Sequence, residues 1–137
     1  MATYCDASVI LRYVLGQPGM EDFRTLHPAI TSRLAQVECL RTLDRSLALH
    51  LLTGEVYLYK RDALLRTLQS IEIVEIDRAI LDRASEPAPV PIGTLDALHL
   101  ATALKCREQG DGKLTIGTHD RALANAARAY GFPVRGA

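Results

Sequence analysis

Two acidic side chains follow short β-prone segments of this sequence. Asp6 comes directly after Thr3–Cys5, and Asp120 follows residues 114–117. Parallel α/β folds bind ligands outside the carboxyl ends of their strands, near the point where the strand order reverses. Asp is also a common N-cap for a helix that follows a strand, as Asp77 illustrates, so each position taken singly has a structural explanation.

Two further acids fall on predicted helices, close to apolar faces. Asp96 lies in the first turn of its helix, in line with Leu100. An unpaired buried carboxylate is destabilising by several kcal/mol, so it needs a helix N-terminus, a cationic partner or a metal ion. Glu38 lies on the flank of a long helix that also carries Arg41 and Arg45. The structural explanation there is an ion pair between Glu38 and Arg41, three residues on.

Brought together, Asp6, Glu38, Asp96 and Asp120 would offer only oxygen ligands. Such ligands suit Mg²⁺ or Mn²⁺ and not zinc. Mg²⁺ keeps several waters and is commonly held by one or two carboxylates plus a substrate phosphate. The set therefore indicates a phosphoryl or phosphodiester site, in which the metal lowers the pKa of a bound water and neutralises charge on the attacked phosphate.

The elements that must position these acids alternate between strands and helices. Strands are predicted over residues 3–5, 29–31, 71–76, 114–117 and 132–134. Helices are predicted around residues 9–14, over 21–27, from about 32, over 56–69, after 77, over 94–110 and over 119–131. Such alternation gives parallel strands joined by right-handed crossovers. We expect an α/β fold, a three-layer α/β/α sandwich with a parallel sheet of four to five strands.

Two local details complete this expectation. Val37, Leu40, Leu43 and Leu47 are spaced to form the apolar face of the long helix that carries Glu38. Thr94 is placed to cap the helix that carries Asp96.

Composition bounds the class of protein. The 137 residues include 16 basic and 16 acidic side chains, so no long-range field draws the chain to a polyanion. The hydrophobic content of 48% predicts a folded chain, and the length suits one domain over residues 1–137. Three cysteines without a CxxC pair indicate buried thiols in a reducing compartment. With no signal peptide or membrane span predicted, we expect a cytoplasmic protein.

Four segments carry a family resemblance, in the right order along nearly the whole chain. They are Tyr4-Cys5-Asp6-Ala7-Ser8, Ser32-Arg33-Leu34 through Glu38 and Arg41, Leu95 through Ala103, and Gly117-Thr118-His119-Asp120-Arg121 with Ala126, Ala127 and Gly131. Together they resemble a PIN domain, and most closely the VapC-type toxins of bacterial toxin–antitoxin pairs. The most specific piece is Asp-Ala-Leu-His-Leu-Ala-Thr-Ala, which begins at Asp96.

The resemblance implies a fold, an activity and a set of site residues. The implied sheet order is 3-2-1-4-5, which places Asp6 and Asp120 across the switch point. The implied activity is that of a Mg²⁺- or Mn²⁺-dependent endoribonuclease, in which metal-activated water attacks a phosphodiester and leaves 5′-phosphate and 3′-hydroxyl ends. The matched catalytic residues are Asp6, Glu38, Asp96 and Asp120, with Asp6, Asp96 and Asp120 as metal ligands and Ser8 and Thr118 as supporting hydroxyls.

The resemblance also implies partners, namely an RNA substrate, an antitoxin of the VapB type and a second copy of the chain in a homodimer. Arg41 and Arg45 are the candidates for holding RNA phosphates, with a solvated salt-bridge face as the alternative. His99 is expected to hydrogen-bond within the core and His119 to lie in an exposed loop. Many relatives carry a further acid just after the position of Asp120, where this chain has none. The number of metal ions, one or two, therefore stays open.

Two other functions stay open. A catalytically silent PIN-like domain would bind RNA or a protein partner without cutting. A phospho-acceptor receiver module is also α/β with an Asp cluster and Mg²⁺, and would use Asp77 as its acceptor. It also needs adjacent acids after the first strand and a Lys after the last, whereas only Asp6 follows the first strand and no Lys follows Gly117.

Overall fold

A parallel sheet of five strands lies between two layers of helices in the computed structural model, which describes residues 1–137. The elements in chain order are β1 (Thr3–Cys5), α1 (Ala7–Leu15), α2 (Phe23–Leu26), β2 (Ala29–Ser32), α3 (Arg33–Ala48), α4 (Gly54–Gln69), β3 (Glu72–Val74), α5 (Arg78–Ala84), α6 (Thr94–Gln109), β4 (Thr115–Gly117), α7 (Arg121–Ala129) and β5 (Val134–Arg135). None of the helices combines the length and apolarity that crossing a bilayer requires.

The strand order is β3-β2-β1-β4-β5, and all neighbouring pairs are parallel. The expected order 3-2-1-4-5 is therefore confirmed. Tyr4 in β1 pairs with Ile30 in β2 and with Ile116 in β4. Strands β2 and β3 lie on one side of β1, and β4 and β5 lie on the other. The switch point is therefore between β1 and β4. A receiver module of the 2-1-3-4-5 order would instead place its third strand inside the sheet.

The third strand is shorter than its sequence indicates. One strand is expected over residues 71–76, but only Glu72–Val74 pairs. This strand lies at the edge of the sheet and has β2 as its one neighbour, with Ser32 opposite Val74. Since β2 ends at Ser32 and turns into α3, the residues after Val74 have no strand beside them.

Two apolar clusters lie on opposite faces of the sheet, as the alternating directions of side chains in a strand require. Cys5 of β1 packs with residues of α1, α3 and α4, including Ile10, Leu43 and Leu64. Tyr4 packs on the other face with residues of α6, β4 and α7, including Leu100. The three layers expected from the sequence follow from this division.

The buried stripe of α3 differs from the expected one. Ala35, Cys39 and Leu43 are fully buried, whereas Val37 is 54% exposed. The three buried residues recur every fourth position and share one side of the helix, and Val37 lies about 200° round the axis from Ala35. The expectation was therefore wrong for Val37, because small residues let this helix approach the sheet and the larger side chain faces solvent.

The start of α6 corrects a second expectation. Gly93 is the N-cap residue, and no side chain caps this helix. Thr94 is already the first helical residue, so its predicted capping role was wrong. The backbone N–H of Ala97 donates to the Gly93 carbonyl at 3.0 Å and closes the first turn.

Candidate active site

Asp6 is buried at the carboxyl end of the central strand, and each of its oxygens is held. The Ser8 hydroxyl donates to Oδ1 at 2.5 Å, and the Thr118 hydroxyl donates to Oδ2 at 2.6 Å. The backbone N–H of Val9 also donates to Oδ1, so Asp6 is the N-cap of α1. Burial raises the pKa of Asp6, and the hydrogen bonds from the two hydroxyls lower it in part.

Thr118 ties the Asp6 carboxylate to the loop that carries Asp120. Its hydroxyl accepts the backbone N–H of Asp120 at 3.0 Å while donating to Asp6. The Ser8 hydroxyl accepts the backbone N–H of His119 at 2.9 Å. Asp120 itself caps α7 by accepting from the backbone N–H of Ala122 at 2.8 Å, and its side chain is exposed. The segments that carry the two acids predicted to meet across the switch point are therefore joined by hydrogen bonds through the Thr118 hydroxyl.

Asp96 lies half-buried in the first turn of α6, and the charges of the other three acids affect its pKa. Burial is the largest cause of its raised pKa, and the charge of Asp120 is the next. The charges of Asp6 and Glu38 raise the pKa further, while His99 lowers it. The charges of the other three acids therefore act on Asp96, and each makes its ionisation less favourable.

Glu38 reaches this edge from α3 and is bound by a histidine of α6. His99 Nε2 lies 2.6 Å from Glu38 Oε1, and His99 Nδ1 lies 2.7 Å from the Tyr4 hydroxyl. The ion pair with Arg41, the structural alternative for Glu38, does not form, because Arg41 binds Asp44 at 3.0 Å. That pair places Arg41 within a solvated salt-bridge face. Arg45 is exposed and makes no ion pair within the chain.

His119 corrects another expectation. It does not point freely from an exposed loop, because its Nδ1 lies 3.0 Å from the carbonyl of Gly136. Its Nε2 is buried without a hydrogen-bond partner. The C-terminal residues therefore cover this ring, which lies beside Asp120 in sequence.

Comparison with known proteins decides the family. Residues 3–129 match the family model of the PIN domain. The chain belongs to the PIN-domain family. It is 32% identical to "Ribonuclease VapC46" of Mycobacterium tuberculosis, over 97% of this chain and 95% of that protein. It is 25% identical to "Ribonuclease VapC47" of the same species, over 94% of this chain and 92% of that protein.

Solved structures resemble this PIN domain in fold. A chain of a toxin–antitoxin complex from Klebsiella pneumoniae superposes with a TM-score of 0.63 at 16% identity, covering 90% of this chain and 91% of the other. A protein from Pyrobaculum aerophilum superposes with a TM-score of 0.62 at 15% identity, covering 98% of this chain and 83% of the other. At such identities the likeness establishes the fold alone, and it agrees with the observed strand order.

The donor chemistry of this PIN domain suits a hard divalent cation. Its acids offer only oxygens, and a bound cation would offset both the burial and the neighbouring charges that raise the pKa of Asp96. No three His, Cys, Asp or Glu side chains converge in metal-holding geometry. Mg²⁺ does not need three, since one or two carboxylates and several waters complete its shell. A carboxylate also has lone pairs beyond those used by the hydroxyls on Asp6.

A wide cleft of the PIN domain lies apart from these acids. It measures about 760 Å³ and is lined by α5, the proline-rich loop of residues 85–93 and the start of α6. None of the four acids lines it. The four acids therefore lie outside this cleft, and Asp6 among them is buried.

Sequence reasoning missed the partners of Glu38. Tyr4, Glu38 and His99 lie far apart in the chain and on three different elements. No local spacing could have joined them. The one available signal was a polar His99 within the otherwise apolar run from Leu98 to Ala101, which suggested a hydrogen bond without naming its acceptor.

Proposed function

We propose that this PIN domain is a divalent-metal-dependent endoribonuclease that serves as the toxin of a toxin–antitoxin pair. One observation carries the proposal: burial raises the pKa of Asp96, and the charges of Asp120, Asp6 and Glu38 raise it further, so the four acids act on one another. The similarity to "Ribonuclease VapC46" over nearly the whole chain supports RNA as the substrate.

Asp6, Asp96 and Asp120 are the proposed holders of Mg²⁺ or Mn²⁺. The Ser8 and Thr118 hydroxyls fix both oxygens of Asp6 and so keep its carboxylate in one orientation. When bound, the cation would act as a Lewis acid on the phosphate and lower the pKa of a water. Hydrolysis at the P–O3′ bond would leave a 5′-phosphate and a 3′-hydroxyl.

Glu38 is the proposed acceptor of the proton from the attacking water. Its Oε1 is occupied by His99, and its Oε2 makes no hydrogen bond to the protein. The side chain is 23% exposed, so solvent and substrate can reach it. A carboxylate fixed through one oxygen keeps the other available for proton transfer.

Arg45 is the proposed contact for RNA phosphate. It lies seven residues along α3 from Glu38, a rise of about 10 Å. The guanidinium is exposed and unpaired, whereas that of Arg41 is partly neutralised by Asp44. A free guanidinium binds phosphate without first giving up a carboxylate, so Arg45 is the stronger of the two candidates.

An antitoxin and a second copy of the chain are the proposed protein partners. Exposed apolar side chains are frequent in the turn after α3 and in the first turns of α4, and exposed apolar surface favours protein interfaces. They are Leu49, Leu51, Val56, Leu58 and Tyr59, between 40% and 72% exposed. Light scattering of the purified chain, alone and after co-expression with its antitoxin, tests both partners. A cytoplasmic setting is proposed because the three cysteines are free.

Cleavage of a defined RNA by purified protein tests the proposed activity. Mg²⁺ should be required, and Asp6→Asn and Asp96→Asn should each lower the rate about a hundredfold or more. Asp111→Asn is the matched control, since Asp111 is exposed and caps only a local turn. Equal cleavage by all variants, or cleavage that persists in EDTA, would contradict the proposal.

A silent PIN-like domain is the remaining alternative, and the same experiment separates it from the nuclease. Such a domain would bind the RNA in a gel-shift assay and leave it intact at every Mg²⁺ and Mn²⁺ concentration. The receiver alternative has lost its support, because Asp77 follows an edge strand and its carboxylate is bound by Lys105 at 2.7 Å.

A further inference from the structure

Both ring nitrogens of His99 are engaged in one buried chain of hydrogen bonds. The Tyr4 hydroxyl lies 2.7 Å from Nδ1, and Glu38 Oε1 lies 2.6 Å from Nε2. Tyr4 is fully buried, and His99 is 3% exposed. The two rings also pack edge to face, with centroids 5.9 Å apart. The imidazole therefore has one orientation, fixed from both sides.

The hydrogen bonds on either side of His99 determine which of its ring nitrogens carries the proton that Glu38 accepts. Burial raises the pKa of Tyr4 well above its ordinary value, so its hydroxyl keeps its proton. In neutral His99, Nδ1 accepts from Tyr4 and Nε2–H donates to Glu38. In charged His99 both nitrogens donate, and Nε2–H still faces Glu38. Glu38 Oε1 therefore receives the same hydrogen bond in either state.

This contact also joins the two helices that carry the helical acids. It is the one hydrogen bond between α3, with Glu38, and α6, with Asp96. A glutamate side chain has several rotatable bonds, and a charge-assisted hydrogen bond of 2.6 Å restricts them. The surrounding residues of α6, such as Leu100 and Ala101, are apolar. An apolar residue at position 99 would fill the core without holding Glu38.

We propose that His99, held by Tyr4, is a positioning residue that orients Glu38 so that its Oε2 serves the proposed hydrolysis. This inference rests on the proposed nuclease function. The two oxygens of Glu38 would then have different roles: Oε1 is fixed by the protein, and Oε2 is available for the reaction. Loss of the hydrogen bond would leave substrate binding intact and slow the chemical step.

The test compares kcat and KM on a defined RNA for three variants. His99→Leu removes both hydrogen bonds and should lower kcat about 10- to 100-fold with KM nearly unchanged. His99→Gln restores an amide donor toward Glu38 and should recover most of kcat. Tyr4→Phe frees only Nδ1 and should have an intermediate effect. His27→Leu, at an exposed position before the amino end of β2, is the control and should match the parent.

A second measurement does not depend on activity. A long-range ¹H–¹⁵N spectrum should identify His99 as protonated on Nε2, and the Nε2 signal should move in Glu38→Gln but not in Glu72→Gln, whose parent side chain is exposed. A proton on Nδ1 alone would overturn the proposal. If His99→Leu fails to fold, as judged by circular dichroism, the comparison of His99→Gln with Tyr4→Phe carries the kinetic test.

The outcomes separate this inference from the function on which it rests. A parent protein that never cleaves RNA overturns the proposed function and the inference with it. A parent that cleaves, an inactive Asp6→Asn and a His99→Leu with the parent's kcat overturn the inference alone. Weaker RNA binding by His99→Leu without a fall in kcat would also overturn it, because a positioning role acts on the chemical step.

Discussion

The Thr118 hydroxyl donates to Asp6 Oδ2 across 2.6 Å, and both side chains are buried. The Thr118 Oγ1 also accepts the backbone N–H of Asp120 at 3.0 Å. One hydroxyl therefore connects the acids that end β1 and follow β4. Since a hydroxyl can donate and accept at once, threonine or serine can make this connection and an apolar residue of the same shape cannot.

Thr118→Val should consequently lower the free energy of unfolding by about 1–3 kcal/mol, because it leaves a buried carboxylate oxygen and a backbone N–H without their partner. Thr118→Ser keeps the hydroxyl and should stay much closer to the parent. Urea unfolding followed by circular dichroism compares the three proteins. A loss for Thr118→Ser as large as that for Thr118→Val would contradict the argument, because serine keeps the hydroxyl and lacks only the methyl group.

Asp6→Asn should gain stability relative to the parent as the pH rises, because burial disfavours the Asp6 carboxylate and the amide stays uncharged; the loss of one oxygen that accepts from a hydroxyl is a separate cost that does not vary with pH. Asn caps a helix as well as Asp does, so α1 keeps its N-cap. The folded pKa of Asp6 is raised above 3.8 by burial, so the parent's protonated form is favoured by folding at low pH and this contribution is lost as the pH rises through the folded pKa. The advantage of Asn should therefore vanish below about pH 3.8 and grow toward neutrality. Denaturant unfolding of both proteins at a series of pH values measures it, and an advantage that does not change with pH would contradict the argument.

Mg²⁺ should stabilise the folded chain against heat, because a cation bound by the native acids shifts the unfolding equilibrium by mass action. At ten times its Kd the gain is about 1.4 kcal/mol. Asp96→Asn removes one of the mutually repelling charges and should lose most of this response. Asp111→Asn should retain it, and EDTA should reverse it. Differential scanning fluorimetry over a Mg²⁺ titration gives the comparison, and identical responses in all three proteins would place the cation elsewhere.

Arg45→Ala should weaken RNA binding without changing kcat, because a phosphate-binding side chain on α3 contributes to affinity and not to proton transfer. Removing one cation that neutralises a phosphate of single-stranded RNA should flatten the dependence of log affinity on log salt by about 0.7. Arg41→Ala should have a smaller effect, since Asp44 already holds its guanidinium. Arg78→Ala is a control on α5, where the side chain is 94% exposed. Filter binding at several salt concentrations distinguishes them, and an Arg45→Ala slope equal to that of the Arg78→Ala control would exclude the proposed phosphate contact.

Much of the fold followed from features that are local in the sequence. Asp6 and Asp120 could be recognised because a short β-prone run, an acid and a helical pattern follow one another within a few residues. The strand order came from the family resemblance and was confirmed, since alternation alone predicts parallel strands without ordering them.

The errors concern interactions that depend on where a whole helix is placed. Val37 was expected inside because its spacing to Leu40, Leu43 and Leu47 suggested one apolar face, but the side of α3 that faces the sheet carries the small residues Ala35 and Cys39. Arg41 was the partner that local spacing offered as an alternative for Glu38, yet Glu38 binds His99, 61 residues away. Local spacing shows which partners are available on the same helix. It does not show whether a buried donor on another helix binds the side chain instead.

Two buried cysteines stand directly beside acids of the candidate site, Cys5 before Asp6 and Cys39 after Glu38. Burial raises the pKa of Cys5 to about 12 and also raises that of Cys39, so neither thiol ionises while the fold is closed. Thiol reagents react with the thiolate, and labelling of these two positions must wait for the surrounding packing to open. Cys5 in β1 and Cys39 in α3 are therefore natural probes of local unfolding. The rate at which a thiol reagent labels them would measure how often the sheet edge that carries the acids opens.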